Sequence, residues 1–217
     1  MLRAMIQHHH FQQHDRLANL QLIADNPLAT LVYTTEQGVA ADHLPLYYVE
    51  ENQQGYLRGH VHAANPLYQQ INYTESLLII FQGPSTYISP GWYATKQEHG
   101  KVVPTWNYAV VHVAGSIAFI NDPEWKLAVI NHLTNIHEAD RPDPWQVSDA
   151  PDTFIQKLLA AIIGIEIRVD QITGNWKMSQ NQPKPNRQGV ITGLSASAKP
   201  QDQQVVALMK TKIDKET

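Results

Sequence analysis

Chemistry in this chain is concentrated in four polar and aromatic clusters: AADHLPL around His43, GHVHAANP around His60, ISPGWYATKQEHGKVVPTWNY from Ile88 to Tyr108, and KMSQN from Lys177. Trp92, Tyr93, Trp106 and Tyr108 can pack on a flat conjugated ring. His60, Asn65, Lys96, Thr105 and Lys177 can donate hydrogen bonds to a phosphate or to ring carbonyls. Together they suit a planar ligand with an anionic tail. A plainer reading stands beside this one: Trp and Tyr in such runs fill cores and dimer interfaces, His43 between apolar neighbours is a hydrogen-bonded core histidine, and Lys177 belongs to a solvated turn. Three consecutive histidines, His8 to His10, are too short and unconstrained a run to define a metal site.

Composition removes other chemistries. The 217 residues include no cysteine, which excludes disulfides, thiolate zinc sites, iron–sulfur clusters and a thiol nucleophile. Sixteen basic against 20 acidic residues give a net charge of -4, the wrong sign for binding nucleic acid mainly through phosphates. The chain has no G-x-G-x-x-G, no Walker loop and no G-x-S-x-G, and His137-Glu138 lacks the second histidine of a zincin helix. No pair of carboxylates sits in any of the polar clusters. The first sixteen residues lack the apolar core of a secretory signal, and the longest apolar run, Leu158 to Ile165, is far shorter than the roughly 20 residues of a membrane span. The expectation is a cytoplasmic protein without membrane contact.

The elements that must position the clusters read as strands interrupted by helices. Asp15 opens a helix with Leu17, Leu20, Ile23 and Ala24 on one face, ending at Asn26-Pro27. LATLVYT and VAADHLPLYYV form a hairpin about Glu36-Gln37-Gly38. Gly55 to Val61 is a strand, Asn65-Pro66 starts a helix with Asn as cap, and Ser76 to Phe81 is a buried strand. Tyr87 to Lys101 reads as a long ordered loop. Val110 to Ile120 is a strand, Asp122-Pro123 opens a helix with Trp125, Val129, Leu133 and Ile136 on one face, and another helix lies near Pro151 to Ile162. IIGIEIRVDQITGNWKM predicts a hairpin about Thr173-Gly174-Asn175. Six or seven strands joined mostly by hairpins imply a mainly β, α+β protein: an antiparallel barrel with peripheral helices. One domain over residues 1–194, followed by a tail or helix at 195–217, is the simplest organisation.

The central motif ISPGWYATKQEHGKVVPTWNYAVVHV, with PLATLVYT, HLPL, GHVHAANP, LTNIHE, PWQVSDAP and KMSQNQP in the same order, closely resembles the PaiB-like family of FMN-binding negative transcriptional regulators. The resemblance implies a split β-barrel of the pyridoxamine-phosphate oxidase type, assembled as a homodimer with FMN in clefts where subunits meet. It places His60, Val61 and Asn65 of GHVHAANP near the phosphate and His43 and Leu44 of HLPL beside the ring. Lys96 would reach the phosphate or a ring carbonyl, Thr105 and Asn107 polar ring atoms, and Trp92 or Trp106 would form an aromatic wall. Lys177 and Gln180 would complete the cleft. Family members often carry a basic residue between His60 and Asn65 where this chain has Ala63. With neither a helix-turn-helix nor a basic face, action through the flavin or a ligand is expected rather than direct DNA contact. A flavin-dependent oxidoreductase, and a haem protein using one of the eleven histidines, are the alternative readings.

Overall fold

The computed structural model describes residues 9–71 and 77–214. Its strands are β1 (Gln12–Gln13), β2 (Leu28–Thr35), β3 (Gly38–Pro45), β4 (Tyr47–Glu51), β5 (Gln54–His62), β6 (Leu77–Ile88), β7 (Thr105–Ile120) and β8 (Ile162–Lys177). Its helices are α1 (Arg16–Asp25), α2 (Pro66–Gln70), α3 (Thr95–His99), α4 (Pro123–Glu138), α5 (Asp152–Ala160), α6 (Lys184–Ser195) and α7 (Pro200–Asp214). The sheet order is β3-β2-β6-β7-β8-β5-β4, with β1 added to β8. The described chain divides into two compact units: residues 23–71, 77–81 and 112–172 form the first, and 9–22, 82–111 and 173–214 the second.

In the first unit, β2 and β3 pair antiparallel from Leu28↔Pro45 to Thr35↔Gly38, so Glu36 and Gln37 form a two-residue turn. β2 and β5 alternate buried and partly exposed residues, the period-two pattern of strands with one face on a core. Leu31, Leu57, Ile79, Phe81, Ile165 and Ile167 are fully buried there. The expected run Val39 to Val49 is two strands: Leu46 is fully buried and donates its N–H to the Pro27 carbonyl at 2.9 Å, and beyond it β4 pairs with β5. α4 is capped by Asp122, whose Oδ1 accepts from Trp125 N at 2.7 Å. Its buried face is Lys126, Val129 and Leu133, whereas Ile136 is exposed.

In the second unit, Ile88, Ala109, Val111, Met178, Val190, Leu194, Val205 and Met209 form the core. The segment beyond residue 194 finishes α6 and forms α7, which buries Val205, Val206 and Met209.

Three further expectations change. The buried positions of α1 are Asn19, Leu22 and Ile23, while Leu17 and Ala24 are exposed. Tyr87 to Lys101 is not a plain loop: β6 runs to Ile88, a short 3-10 helix follows at Pro90–Trp92, and then α3. Thr173-Gly174-Asn175 is not a turn but lies within β8, where Asn175 and Gly174 pair with Gln12 and Gln13. Glycine is needed at 174 because a Cβ there would collide with the Asn19 side chain. The first residue of the expected strand at Ser76 lies outside the described residues, as does His8; His9 and His10 are exposed.

Candidate functional site

In the second unit the start of β7 lies beside the end of β8. Lys177 Nζ donates to Thr105 Oγ1 at 2.5 Å, and the ammonium stands 5.8 Å from the Phe11 ring centre. The chain then turns sharply. Ser179 takes a left-handed backbone (φ 60°), and Gln180 closes the turn by accepting from Met178 N at 2.6 Å and donating to the Trp176 carbonyl at 2.5 Å. Buried Ser179 donates to Oδ1 of buried Asn107 at 3.1 Å, and Asn107 Nδ2 points at Met209 Sδ at 3.5 Å. Thr105, Lys177 and Ser179 line a cleft of about 180 Å³ together with Tyr93, Val103, Pro104, Asn181 and Gln182. Tyr93 is buried, and that burial pushes its phenol above the usual range. An ammonium, hydroxyls and amides line the wall, and no lining residue is acidic. Such a set favours an anionic group.

Other aromatic candidates separate by role. Trp92 packs on α6: a Cβ at Gly193 would lie 2.5 Å from its Nε1, so the indole occupies the space that glycine leaves. Trp106 is 56% exposed and meets Tyr87 edge-on, with ring centres 6.4 Å apart. Of the two tryptophans, Trp106 is the one with a face to offer. Lys96 is exposed on α3. Gln180 and Asn107 are committed to the turn and the core, so neither has a spare amide directed at the cleft.

The remaining candidates belong to the first unit. Leu44 and Val61 are core residues. His43 is exposed rather than buried in the core, and its Nδ1 lies 3.1 Å from Thr30 Oγ1 across the β2–β3 pair. Asn65 caps α2, accepting from Leu67 N at 2.8 Å, and its Nδ2 donates to Asp42 Oδ1 at 3.2 Å. Asp42 also accepts from Tyr33 OH at 2.8 Å. Burial, that hydrogen bond and the neighbouring carboxylate push the Tyr33 phenol up to about 12. A carboxylate therefore stands at the amide expected to meet a phosphate. His60 lines a separate cleft of about 310 Å³ with Pro45, Ile130, Leu133, Thr134, His137, Glu138 and Trp145. Most of that lining falls in LTNIHE and PWQVSDAP, segments remote in sequence from His60. Among the described residues no group of three or more His, Cys, Asp or Glu is placed to hold a metal ion.

The mainly β fold, with helices packed about an antiparallel sheet, is of the split-barrel flavin-binding type. A family model described as "Putative FMN-binding domain" matches residues 5–171, and the chain belongs to that PaiB-like family, whose cofactor is FMN. It is 32% identical over 195 residues to "Protease synthase and sporulation protein PAI 2" of Bacillus subtilis, covering 89% of this chain and 91% of that one. Among solved structures, the FAD and heme binding protein from Mycobacterium smegmatis matches with a TM-score of 0.56 at 14% identity, over 76% of this chain and 73% of that one. The flavocytochrome Anf3 from Azotobacter vinelandii matches with a TM-score of 0.52 at 14% identity, over 77% and 70% of the two chains. At such identities the likeness is one of fold.

Proposed function

We propose that this chain is an FMN-binding protein that anchors the flavin phosphate at the Lys177 cleft, works as a homodimer, and acts through its bound flavin or a ligand rather than by direct DNA contact. The observation that carries this reading is the Lys177 ammonium, held on the Thr105 hydroxyl at a cleft without acidic residues. The donor set fits a phosphate, which bears about -1.5 to -2 charge near neutral pH. The GHVHAANP segment supports that role less well, because Asp42 occupies the Asn65 amide and Ala63 adds no charge.

FMN, when bound, supplies one- and two-electron chemistry. The protein's own residues orient it. Lys177 and Thr105 hold the anionic end, Ser179 and Asn107 keep the turn that presents Lys177, and exposed Trp106 offers a face for the ring. The partly exposed Tyr87–Trp106 pair supports a homodimer, since such aromatic surface suits an interface.

The test compares FMN with riboflavin, which lacks the phosphate, by flavin absorbance retained after removal of free ligand. Wild-type protein is expected to retain FMN better than riboflavin. Lys177→Met should weaken FMN roughly ten- to hundredfold, the value of a charge-assisted hydrogen bond, and leave riboflavin unchanged. Failure to retain FMN, or a Lys177→Met protein that still prefers FMN over riboflavin, overturns the assignment. Light scattering checks the dimer, and a gel shift with a specific band at physiological salt would refute indirect action.

A further inference from the structure

We infer that the cleft beside His60 is a binding site for a small neutral aromatic molecule bearing a hydroxyl group. It stands apart from the flavin proposal, because its lining residues all belong to the first unit and none is shared with the Lys177 cleft.

Size comes first. At about 310 Å³ the cleft lies at the small end of ligand sites, which run from about 300 to 1,000 Å³, so it has room for one or two rings and not for a whole nucleotide cofactor. Shape and polarity come next. Pro45, Leu133 and Trp145 supply apolar wall, and Trp145 is 47% exposed, leaving indole surface for a ring to cover. The main chain at that tryptophan is held: its backbone N–H donates to Glu138 Oε2 at 3.2 Å, and Glu138 Oε1 in turn pairs with Arg141 Nε at 3.0 Å. The end of α4 therefore pins the residue that closes one side.

Charge decides what enters. Glu138 is the one acidic lining residue and is already paired with Arg141, so the cleft presents no unpaired carboxylate to a cation and no lysine or arginine of its own lining to an anion. A neutral molecule remains. His60 then sets its functional group. Nδ1 of His60 is buried without a hydrogen-bond partner among the described residues, so the contact with a cleft ligand is assigned to the other ring nitrogen, Nε2. Burial holds the imidazole pKa below its ordinary value, so the ring is neutral at pH 7 and Nε2 is a donor or an acceptor according to tautomer. A hydroxyl satisfies either, being both, and Thr134 lines the same cleft as a second polar partner.

Phenol and toluene, alike in shape and differing in the hydroxyl, are the probes. Each is titrated into the full chain labelled with ¹⁵N-histidine, below the concentration at which far-ultraviolet circular dichroism changes. The His60 resonance is assigned by its loss in His60→Gln. Phenol is expected to shift the His60 ring nitrogens saturably, and toluene to bind roughly three- to tenfold more weakly for want of one hydrogen bond. Trp145→Ala, at a half-exposed position, should weaken both probes and keep the fold. Absence of a saturable His60 shift, equal binding of toluene and phenol, or phenol binding indifferent to Trp145→Ala would each overturn the proposal.

Discussion

Two half-buried imidazoles should make this protein sensitive to mild acid. Burial lowers the pKa of His60 and of His112 in the folded state. Below the ordinary histidine value of about 6.5 the unfolded chain therefore binds more protons than the folded one, and stability falls with pH. The contribution is complete above that value and is lost as pH drops toward the lower folded pKa. The urea midpoint should fall between about pH 7.5 and about pH 5.5, and His112→Asn should shrink that fall; an unaltered pH profile in His112→Asn would refute the assignment. Gly174→Ala should destabilise by about 1–3 kcal/mol through overpacking against Asn19, read as a lower urea midpoint. Residue types were legible in sequence where the rule is local. Asn65 before Pro66 announced a cap, and it caps. Gln180 gave no such signal, because the backbone groups it satisfies are set by the shape of the turn.

Among the elements, α4 is tied down by a buried cation. Lys126 is 3% exposed, and its Nζ donates to Asn121 Oδ1 at 2.9 Å, the Leu159 carbonyl at 2.7 Å and the Ile162 carbonyl at 3.1 Å. It joins the start of α4 to the end of α5 and the first residue of β8. Lys126→Met keeps the aliphatic stem but removes the buried bond to the Leu159 carbonyl, at about 1–3 kcal/mol for a buried group left unmade. Chemical denaturation should show a loss in that range; a neutral result would mean water takes over the carbonyls. Strand and helix identity followed from periodicity along most of the chain. One exception is β8, where a Thr-Gly-Asn turn signal was overridden by pairing with β1, a long-range partner no local window contains. In α1 the apolar stripe misjudged the buried face, because Asn19 is drawn inward to donate to the Gln13 carbonyl at 2.9 Å.

For the whole molecule, ligand linkage is the cleanest expectation. FMN that binds only the folded chain should stabilise it by about 2.7 kcal/mol at a hundredfold excess over Kd, and raise Tm accordingly. A scan showing no FMN-dependent rise would count against binding in the native state. The net charge of -4 predicts weak, salt-sensitive contact with DNA, checked by the same gel shift at two ionic strengths. Among the described residues no helix is long and apolar enough to cross a membrane.

Sequence alone determined the mainly β character, the β2–β3 hairpin, the caps of α2 and α4, and membership of an FMN-binding family, since each depends on residue types at short spacing or on motifs in a fixed order. Tertiary structure decided which polar groups are already spent. Asn65, Asn107 and Gln180 were expected beside Lys177 at the ligand, yet Asp42, the Met209 sulfur and the Trp176 carbonyl take their amide N–H groups, while Lys177 reaches a cleft lined by hydroxyls. It also brought LTNIHE and PWQVSDAP to the His60 cleft across many residues of chain. A hydrogen-bonding side chain is available to a ligand only when no nearer group has satisfied it, and which groups lie near is a property of the folded chain.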